Sequence, residues 1–179
     1  MAKKKILTPQ DVVAAYMDYV LAHQERPKNV GLFAKEIGLK EAEFYNYFAA
    51  FEDLEKHIFS SFFTNVQALL VKDENYVLYD AKGKLLAFYF TFFETLTANR
   101  SFVLFALNKH KYSLEALKTL EPLRKLFMAH IDTLDLPAPN LGHAIIDGLK
   151  NQTLAGMAWA QFLITLKFWM DDTSAGFEK

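Results

Sequence analysis

Apolar residues recur at helical spacing along most of the chain, and polar or proline-containing breaks separate the stretches. Val12, Tyr16 and Val20 form the first apolar stripe, each four residues from the next. Thr8 is a favourable N-cap residue, and Pro9 suits the first helical position. The pattern therefore predicts an amphipathic helix that begins at Pro9.

The same reading applied to the remaining sequence predicts further helices and no other regular element. Asp80 is a candidate cap for one of them, and Pro122 is expected to kink or split another. The stretch 136–140, with two prolines, is the clearest linker. The predicted fold class is all-α. The helices are expected over residues 51–71, 81–99, 100–108, 114–134 and 141–170.

Two short apolar stretches flank Gly38. Phe33 and Ile37 precede it at helical spacing, while Phe44 and Phe48 follow it four residues apart. Glycine tolerates the positive φ that commonly ends a helix. A helix, a glycine-containing turn and a second helix make up the helix-turn-helix of DNA-binding proteins.

Several residues here resemble the TetR family of bacterial transcriptional regulators. They are the pair Ala34 and Gly38, then Leu39, then Phe44-Tyr45-Asn46-Tyr47-Phe48, and finally Glu52-Asp53-Leu54. The resemblance implies an N-terminal helix-turn-helix domain over residues 1–50. It also implies a C-terminal helical domain over residues 51–179 that binds a ligand and dimerises.

The departures from the family pattern reduce the DNA-binding signal. Lys40 and Glu43 replace small hydroxyl residues, and Phe51 replaces a lysine that contacts phosphate in the family. Residues 29–56 contain three lysines and six acidic residues. Because phosphate contacts by cations supply most non-specific affinity, this composition is unfavourable for a duplex.

The resemblance nevertheless indicates which residues would contact DNA. For Tyr45 and Tyr47, packing within the helix-turn-helix is an equally good explanation. The basic run at residues 3–5 resembles a DNA-binding arm or is simply a solvated terminus. The predicted DNA-contacting residues are Lys28, Asn29, Lys40, Glu41, Glu43, Tyr45, Asn46 and Tyr47.

The segment 85–96 is apolar on nearly every side, which is typical of a central buried helix. Its rings either fill an aromatic core or line a site for an apolar ligand, as occurs between the helices of bundles. His130 could bind a polar group of that ligand or be an ordinary boundary histidine. The predicted ligand-site residues are Phe62, Phe88, Tyr89, Phe92, Phe93, Phe105, Phe127, His130 and Met157.

The last predicted helix has small residues on one surface and bulky ones around it, which suggests a subunit interface. In the family, the last two helices of each subunit form the dimer interface. The resemblance implies one helix more than the sequence contains, so either the chain is shortened or its dimer uses fewer elements. The predicted interface residues are Ile145, Leu149, Gly156, Trp159, Leu163 and Trp169.

Composition and motifs narrow the functional classes. The 179 residues are 52% hydrophobic, carry a formal charge of −1 and include no cysteine. The longest apolar run is about half of the ~20 residues that a membrane helix needs. No catalytic or phosphate-binding motif occurs, and the five histidines lack metal-ligand spacing. We expect a cytoplasmic non-enzyme without metal, cofactor or membrane span.

The function implied by the resemblance is that of a ligand-responsive transcriptional regulator that binds DNA as a homodimer. Its partners would be DNA and an apolar small molecule or lipid. The alternative is a protein of the same fold that binds a lipid, another apolar ligand or a protein partner, and that has lost DNA binding. The acidic second helix of the helix-turn-helix, with Glu41 and Glu43, favours this alternative, as does Phe51 in place of a lysine.

Overall fold

The computed structural model describes residues 7–108, 114–136 and 154–174, and within these ranges it is helical without strands. A 3₁₀ turn at Tyr76–Leu78 is the remaining regular element. The all-α prediction is confirmed. The helices are α1 Pro9–His23, α2 Val30–Glu36, α3 Glu41–Tyr45, α4 Phe51–Lys72, α5 Ala81–Ala98, α6 Arg100–Asn108, α7 Leu114–Thr119, α8 Glu121–Thr133 and α9 Leu154–Asp171.

The predicted helix starts are confirmed by side-chain caps. Thr8 Oγ1 accepts from the backbone N–H of Asp11 at 3.2 Å, and Asp11 accepts from the N–H of Thr8 at 2.8 Å. Asp80 Oδ1 accepts from the N–H of Gly83 at 2.7 Å. Each bond satisfies a backbone donor that has no partner within its own helix.

The structure adds detail to two of the predicted helices. As expected, the helix predicted over residues 114–134 is split into α7 and α8, which are separated at Leu120, because Pro122 is accommodated in the first turn of a new helix. On α4, Leu69 is exposed, whereas Phe63 and Leu70 are buried. The beginning of the helix predicted over 141–170, and most of the linker before it, lie outside the described residues.

Two compact units make up the chain. The head unit comprises Met1–Phe59 and Asn99–Leu120, and the body unit comprises Ser60–Ala98 and Glu121–Lys179. The head unit includes the first part of α4, where Phe51, Leu54 and Ile58 are buried.

The head unit has an aromatic core. Tyr16 stacks on Phe51 with ring centroids 5.4 Å apart, and Phe33 meets both rings edge to face. Phe44 lies 5.6 Å from Phe51 and Phe102 lies 6.4 Å from Tyr16. One ring from each of α1, α2, α3, α4 and α6 therefore meets at this core.

The body unit also has an aromatic core, supplied by α5, α8 and α9. Phe88 and Phe92 stack along α5 at 5.4 Å, and Phe127 of α8 lies 5.8 Å from Phe88. Phe162 of α9 lies 5.1 Å from Phe127 and 5.5 Å from Phe92. All four side chains are fully buried.

Candidate functional site

The turn between α2 and α3 has the geometry that the glycine predicted. Gly38 has φ +74°, and the N–H of Leu39 donates to the carbonyl of Ala34 at 2.8 Å. A Cβ at Gly38 would meet nothing within 4 Å, so the glycine is required by the backbone conformation and not by space. This turn sets the direction in which α3 leaves α2.

The acidic residues of α3 take part in hydrogen bonds within the head unit. Glu43 accepts from the backbone N–H of Lys40 at 2.8 Å, as in the return bond of a capping box. Glu41 accepts from the hydroxyl of Tyr45 at 3.2 Å. Both carboxylates lie in the first turn of α3, where the positive end of the helix dipole favours them. Their presence is therefore explained by the helix itself.

Several of the predicted DNA-contacting residues make hydrogen bonds within the head unit. Besides the bond between Tyr45 and Glu41, Asn29 caps α2 by accepting from Leu32, Glu43 caps α3, and the half-buried Tyr47 donates to the carbonyl of Leu7 at 2.9 Å. Packing therefore explains Tyr47. The residues with exposed side chains are Lys28, Asn29, Lys40, Glu41, Tyr45 and Asn46.

Phe51 occupies the start of α4, where the family has a phosphate-contacting lysine. Its ring lies in the head core against Tyr16, so it offers nothing to an anion. The start of α4 is held instead by Asp53, which accepts from the backbone N–H of Ala49 at 3.2 Å. Relative to the lysine that the resemblance implies, Phe51 thus exchanges a surface cation for a core ring.

A buried polar network, which the sequence reasoning missed, ties α1 and α4 to the loop before α2. Glu55 is fully buried and accepts from the hydroxyl of Tyr16 at 2.6 Å and from Nε of Arg26 at 2.8 Å. Arg26 pairs through its two remaining nitrogens with Glu55 Oε2 and, at 2.6 Å, with Glu52. An acidic residue on the apolar face of α4 was the signal in the sequence.

The network changes the acidities of its members. Burial, followed by the charge of Glu55 and the hydrogen bond to it, raises the pKa of Tyr16. Burial by itself would lower the pKa of Arg26, but the hydrogen bond and charge of Glu55 more than offset it. Tyr16 therefore stays a neutral donor and Arg26 stays a cation over the physiological pH range.

The structure brings most of the predicted ligand-site residues together in the body unit. The four fully buried rings of the body core behave as packing residues. Tyr89, Phe93, His130 and Met157 are only half-buried. Burial raises the pKa of Tyr89 to about 12, so its hydroxyl is neutral. Phe62 is buried in the body unit, whereas Phe105 belongs to the head unit.

The half-buried Tyr89, Phe93, His130 and Met157 and the four rings of the body core are together called the aromatic cluster. Three further residues of the body unit, which were not predicted to belong to it, are Phe63, Gln67 and Trp159. Phe63 of α4 lies 5.3 Å from Phe88 and 6.1 Å from His130. Trp159 stacks on Phe162 at 5.1 Å. Gln67 follows Phe63 by one helical turn. Phe63 follows Phe59 at helical spacing, and that was the signal for a second apolar stripe on α4.

Two polar nitrogens of the body unit are buried without a hydrogen-bond partner among the described residues. They are Nε2 of Gln67 and Nε2 of His130. The imidazole of His130 packs against Phe63 and Phe88, 5.2 Å from the latter. Burial lowers the pKa of His130, so the ring is neutral at pH 7.

The predicted dimer-interface residues that the structure describes differ in how far they are buried. Trp159 and Trp169 are each 8% exposed and pack inside the body unit, where Trp169 donates to the hydroxyl of Thr97 at 3.0 Å. Gly156 and Leu163 are half-buried. Ile145 and Leu149, also predicted to lie in the interface, are outside the described residues. The large apolar side chains that α9 leaves exposed are Ile164 at 51% and Phe168 at 73%.

Other kinds of site find no support in the part of the chain that the structure describes. No group of three or more acidic residues or histidines there could hold a metal ion. Among the same residues, no helix combines the length and the hydropathy needed to span a membrane.

Comparison with known proteins gives the family. The model for the tetracyclin repressor-like C-terminal domain matches residues 84–179, more than half of the chain. The chain belongs to the TetR family. The match begins within α5, so the TetR assignment is carried by the C-terminal part, and helices α1 to α4 lie before it. Members of the TetR family are generally non-enzymatic regulators. No curated protein and no solved structure matches the chain.

Proposed function

We propose that this TetR-family protein is a cytoplasmic, ligand-responsive transcriptional regulator that binds DNA as a homodimer. Family membership supports the regulatory role. The observation that carries DNA binding is the helix-turn-helix, in which Tyr45 of α3 and the residues at its two ends, Lys40 and Asn46, are exposed. A lysine, a tyrosine hydroxyl and an amide can donate to phosphates or to base edges.

A gel shift on the DNA upstream of the protein's own gene tests DNA binding. We expect a band that survives random competitor DNA and weakens log-linearly with salt. Lys40→Gln should lower affinity and reduce the slope of that salt dependence by about one, because one phosphate contact is lost. Lys72→Gln removes an exposed lysine from the end of α4 and serves as the matched control. No band at low salt with folded protein would exclude this DNA as a target.

The homodimer is proposed to form through α9. Gly156, Ala160, Ile164 and Phe168 are spaced four residues apart and so share one face of the helix. Two small residues allow close approach, and two large exposed apolar ones offer area to bury. This face replaces Trp159 and Trp169 as the main candidate, since those two rings already pack within their own chain.

Ligand response is proposed to depend on the aromatic cluster of the body unit. The half-buried Tyr89, Phe93 and Met157 suit an apolar small molecule or lipid. Such a ligand shifts DNA binding only by as much as its affinities for the two conformations differ. Both release from DNA and promotion of DNA binding are compatible with this scheme.

The alternative function is binding of an apolar ligand or protein partner without DNA. The observations that favour it are the two carboxylates in the first turn of α3 and the burial of Phe51. Glu41→Gln separates the two functions. If α3 faces a duplex, removing this exposed charge should strengthen DNA binding at low salt. If the helix no longer binds DNA, the variant should show as little shift as the parent protein.

A further inference from the structure

The two unpartnered nitrogens of the body unit belong to residues near the same ring, Phe63. Residues four apart on a helix are neighbours, with Cβ atoms about 5–6 Å apart, so Gln67 lies beside Phe63 on α4. The imidazole of His130 lies 6.1 Å from Phe63, centroid to centroid. The buried Nε2 atoms of Gln67 and His130 therefore belong to one region of the body unit, next to the aromatic cluster.

Both nitrogens can act as hydrogen-bond donors towards the same kind of group. The amide nitrogen of Gln67 only donates, and neutral imidazole donates from Nε2 when the proton is on that atom. A buried polar group that lacks a partner is destabilising, so a pair of them close together is uncommon in a core made of rings. One oxygen with two lone pairs could accept from both.

We propose, building on the ligand response described above, that the body unit binds an uncharged apolar molecule through a carbonyl oxygen that accepts from Gln67 and His130. The apolar part of the molecule would lie against the aromatic cluster. A ketone, an ester or a lactone meets this description.

The head of the ligand is uncharged because the rings that contact His130 in the described part of the chain offer a carboxylate no compensating charge. The rings that touch the imidazole are Phe63 and Phe88, and the imidazole itself is neutral at pH 7. A buried ionised carboxylate is strongly disfavoured without a cation or a full set of hydrogen bonds. A carbonyl oxygen needs only the two donors that are present.

Calorimetric titration of the full-length protein with matched probes tests the proposal. Acetylnaphthalene carries the carbonyl oxygen, isopropenylnaphthalene has the same shape with a methylene in its place, and naphthoate has the charged head. We expect acetylnaphthalene to bind about tenfold more tightly than the methylene probe. His130→Leu and Gln67→Leu should each lower that preference, measured as the ratio of the two affinities on the same variant. Asn65→Leu, at an exposed position on α4, is the control and should change neither.

The outcomes separate this inference from the proposed function. Equal binding of acetylnaphthalene and the methylene probe would overturn the role of the two nitrogens and leave an apolar ligand site standing. Tighter binding of naphthoate would overturn the uncharged head group. Failure of the folded protein to bind any probe would overturn the ligand site itself. A gel shift, measured separately, would still decide whether the protein binds DNA.

Discussion

Arg26 is the residue on which the polar network of the head unit depends. It binds both oxygens of the fully buried Glu55 and also reaches the exposed Glu52. The bidentate geometry matches the planar guanidinium to the carboxylate, which a lysine could not do. Tyr16 occupies a further acceptor site on Glu55. The buried carboxylate is therefore bound by a cation and a neutral donor.

Removing the cation should leave a buried charge without compensation. Arg26→Met keeps an unbranched side chain, and we expect it to lower the free energy of unfolding by about 3–5 kcal/mol. Glu52→Gln alters the exposed end of the same arginine and should lower it by less than about 1 kcal/mol. Urea unfolding followed by circular dichroism measures both. Equal losses in the two variants would contradict the importance of burial.

His130 should make stability depend on pH. Burial lowers its pKa in the folded protein, so the unfolded chain binds more protons once the pH approaches the ordinary histidine value of about 6.5. Stability contributed by the neutral ring is full above that value and is lost as the pH falls from it through the lowered pKa of the folded state. The two rings in contact with His130, Phe63 and Phe88, carry no charge that would reverse the sign.

His130→Leu isolates this contribution. We expect the variant to lose less free energy of unfolding than the wild-type protein between pH 7 and pH 5. The variant should also be at least as stable at pH 7, because an unpartnered buried nitrogen is replaced by an apolar group of similar volume. A parallel pH dependence in the two proteins would show that other groups account for all of it.

At the scale of the elements, capping side chains determine where helices α1, α2, α3 and α5 begin. Thr8, Asn29 and Asp80 each accept from a backbone donor in the first turn, and Glu43 returns a bond to the residue before α3. The helix α3 has only five residues, so these bonds and the buried Phe44 hold it in place. A helix of this length would not be stable by itself.

Gly38 is the position where a substitution tests the turn. Gly38→Ala would place a Cβ at φ +74° without any contact, so the loss should come from backbone strain alone and amount to about 1 kcal/mol. Gly38→Asn should lose less, because asparagine tolerates the left-handed region better. Urea unfolding of the two variants gives the comparison. An alanine variant as stable as the asparagine variant would argue against a strained turn.

At the scale of the whole molecule, the proposed homodimer rests on the exposed face of α9. Phe168→Glu places a charge at the most exposed apolar position of α9 and should convert the dimer to a monomer, because a buried unpaired charge is strongly unfavourable. Phe90→Glu makes the same change at an exposed position of α5 and is the control. Sedimentation measurements distinguish the two forms. A monomeric wild-type protein would remove the proposal.

The sequence predicted the parts of this molecule that depend on local pattern. The caps at Thr8 and Asp80, the turn at Gly38 and the all-α class follow from short-range rules, and the structure agrees with them. The aromatic core of the body unit was partly predictable, since rings at helical spacing on α5 are expected to be buried. The resemblance to the TetR family rests on residues 34–54 of the head unit, whereas the family model matches residues 84–179, beginning in α5.

The remaining features depend on which helices meet, which periodicity alone does not specify. Glu55 lies 29 residues from Arg26 along the chain, so no local pattern pairs them. From the sequence alone, Phe51 is compatible with a surface position. In the structure it is surrounded by rings from three other helices. The inward packing of Trp169 likewise depends on Thr97, 72 residues away.

The position of the two tryptophans has a practical consequence for spectroscopy. Trp159 and Trp169 are the only tryptophans in the sequence, and both are buried among rings of the body unit. Indole emission therefore reports on the body unit alone, whereas helix content reports on both units. If the head unit melts at a lower temperature, the emission curve will lag behind the ellipticity curve. Coincident curves would show one cooperative transition for the chain.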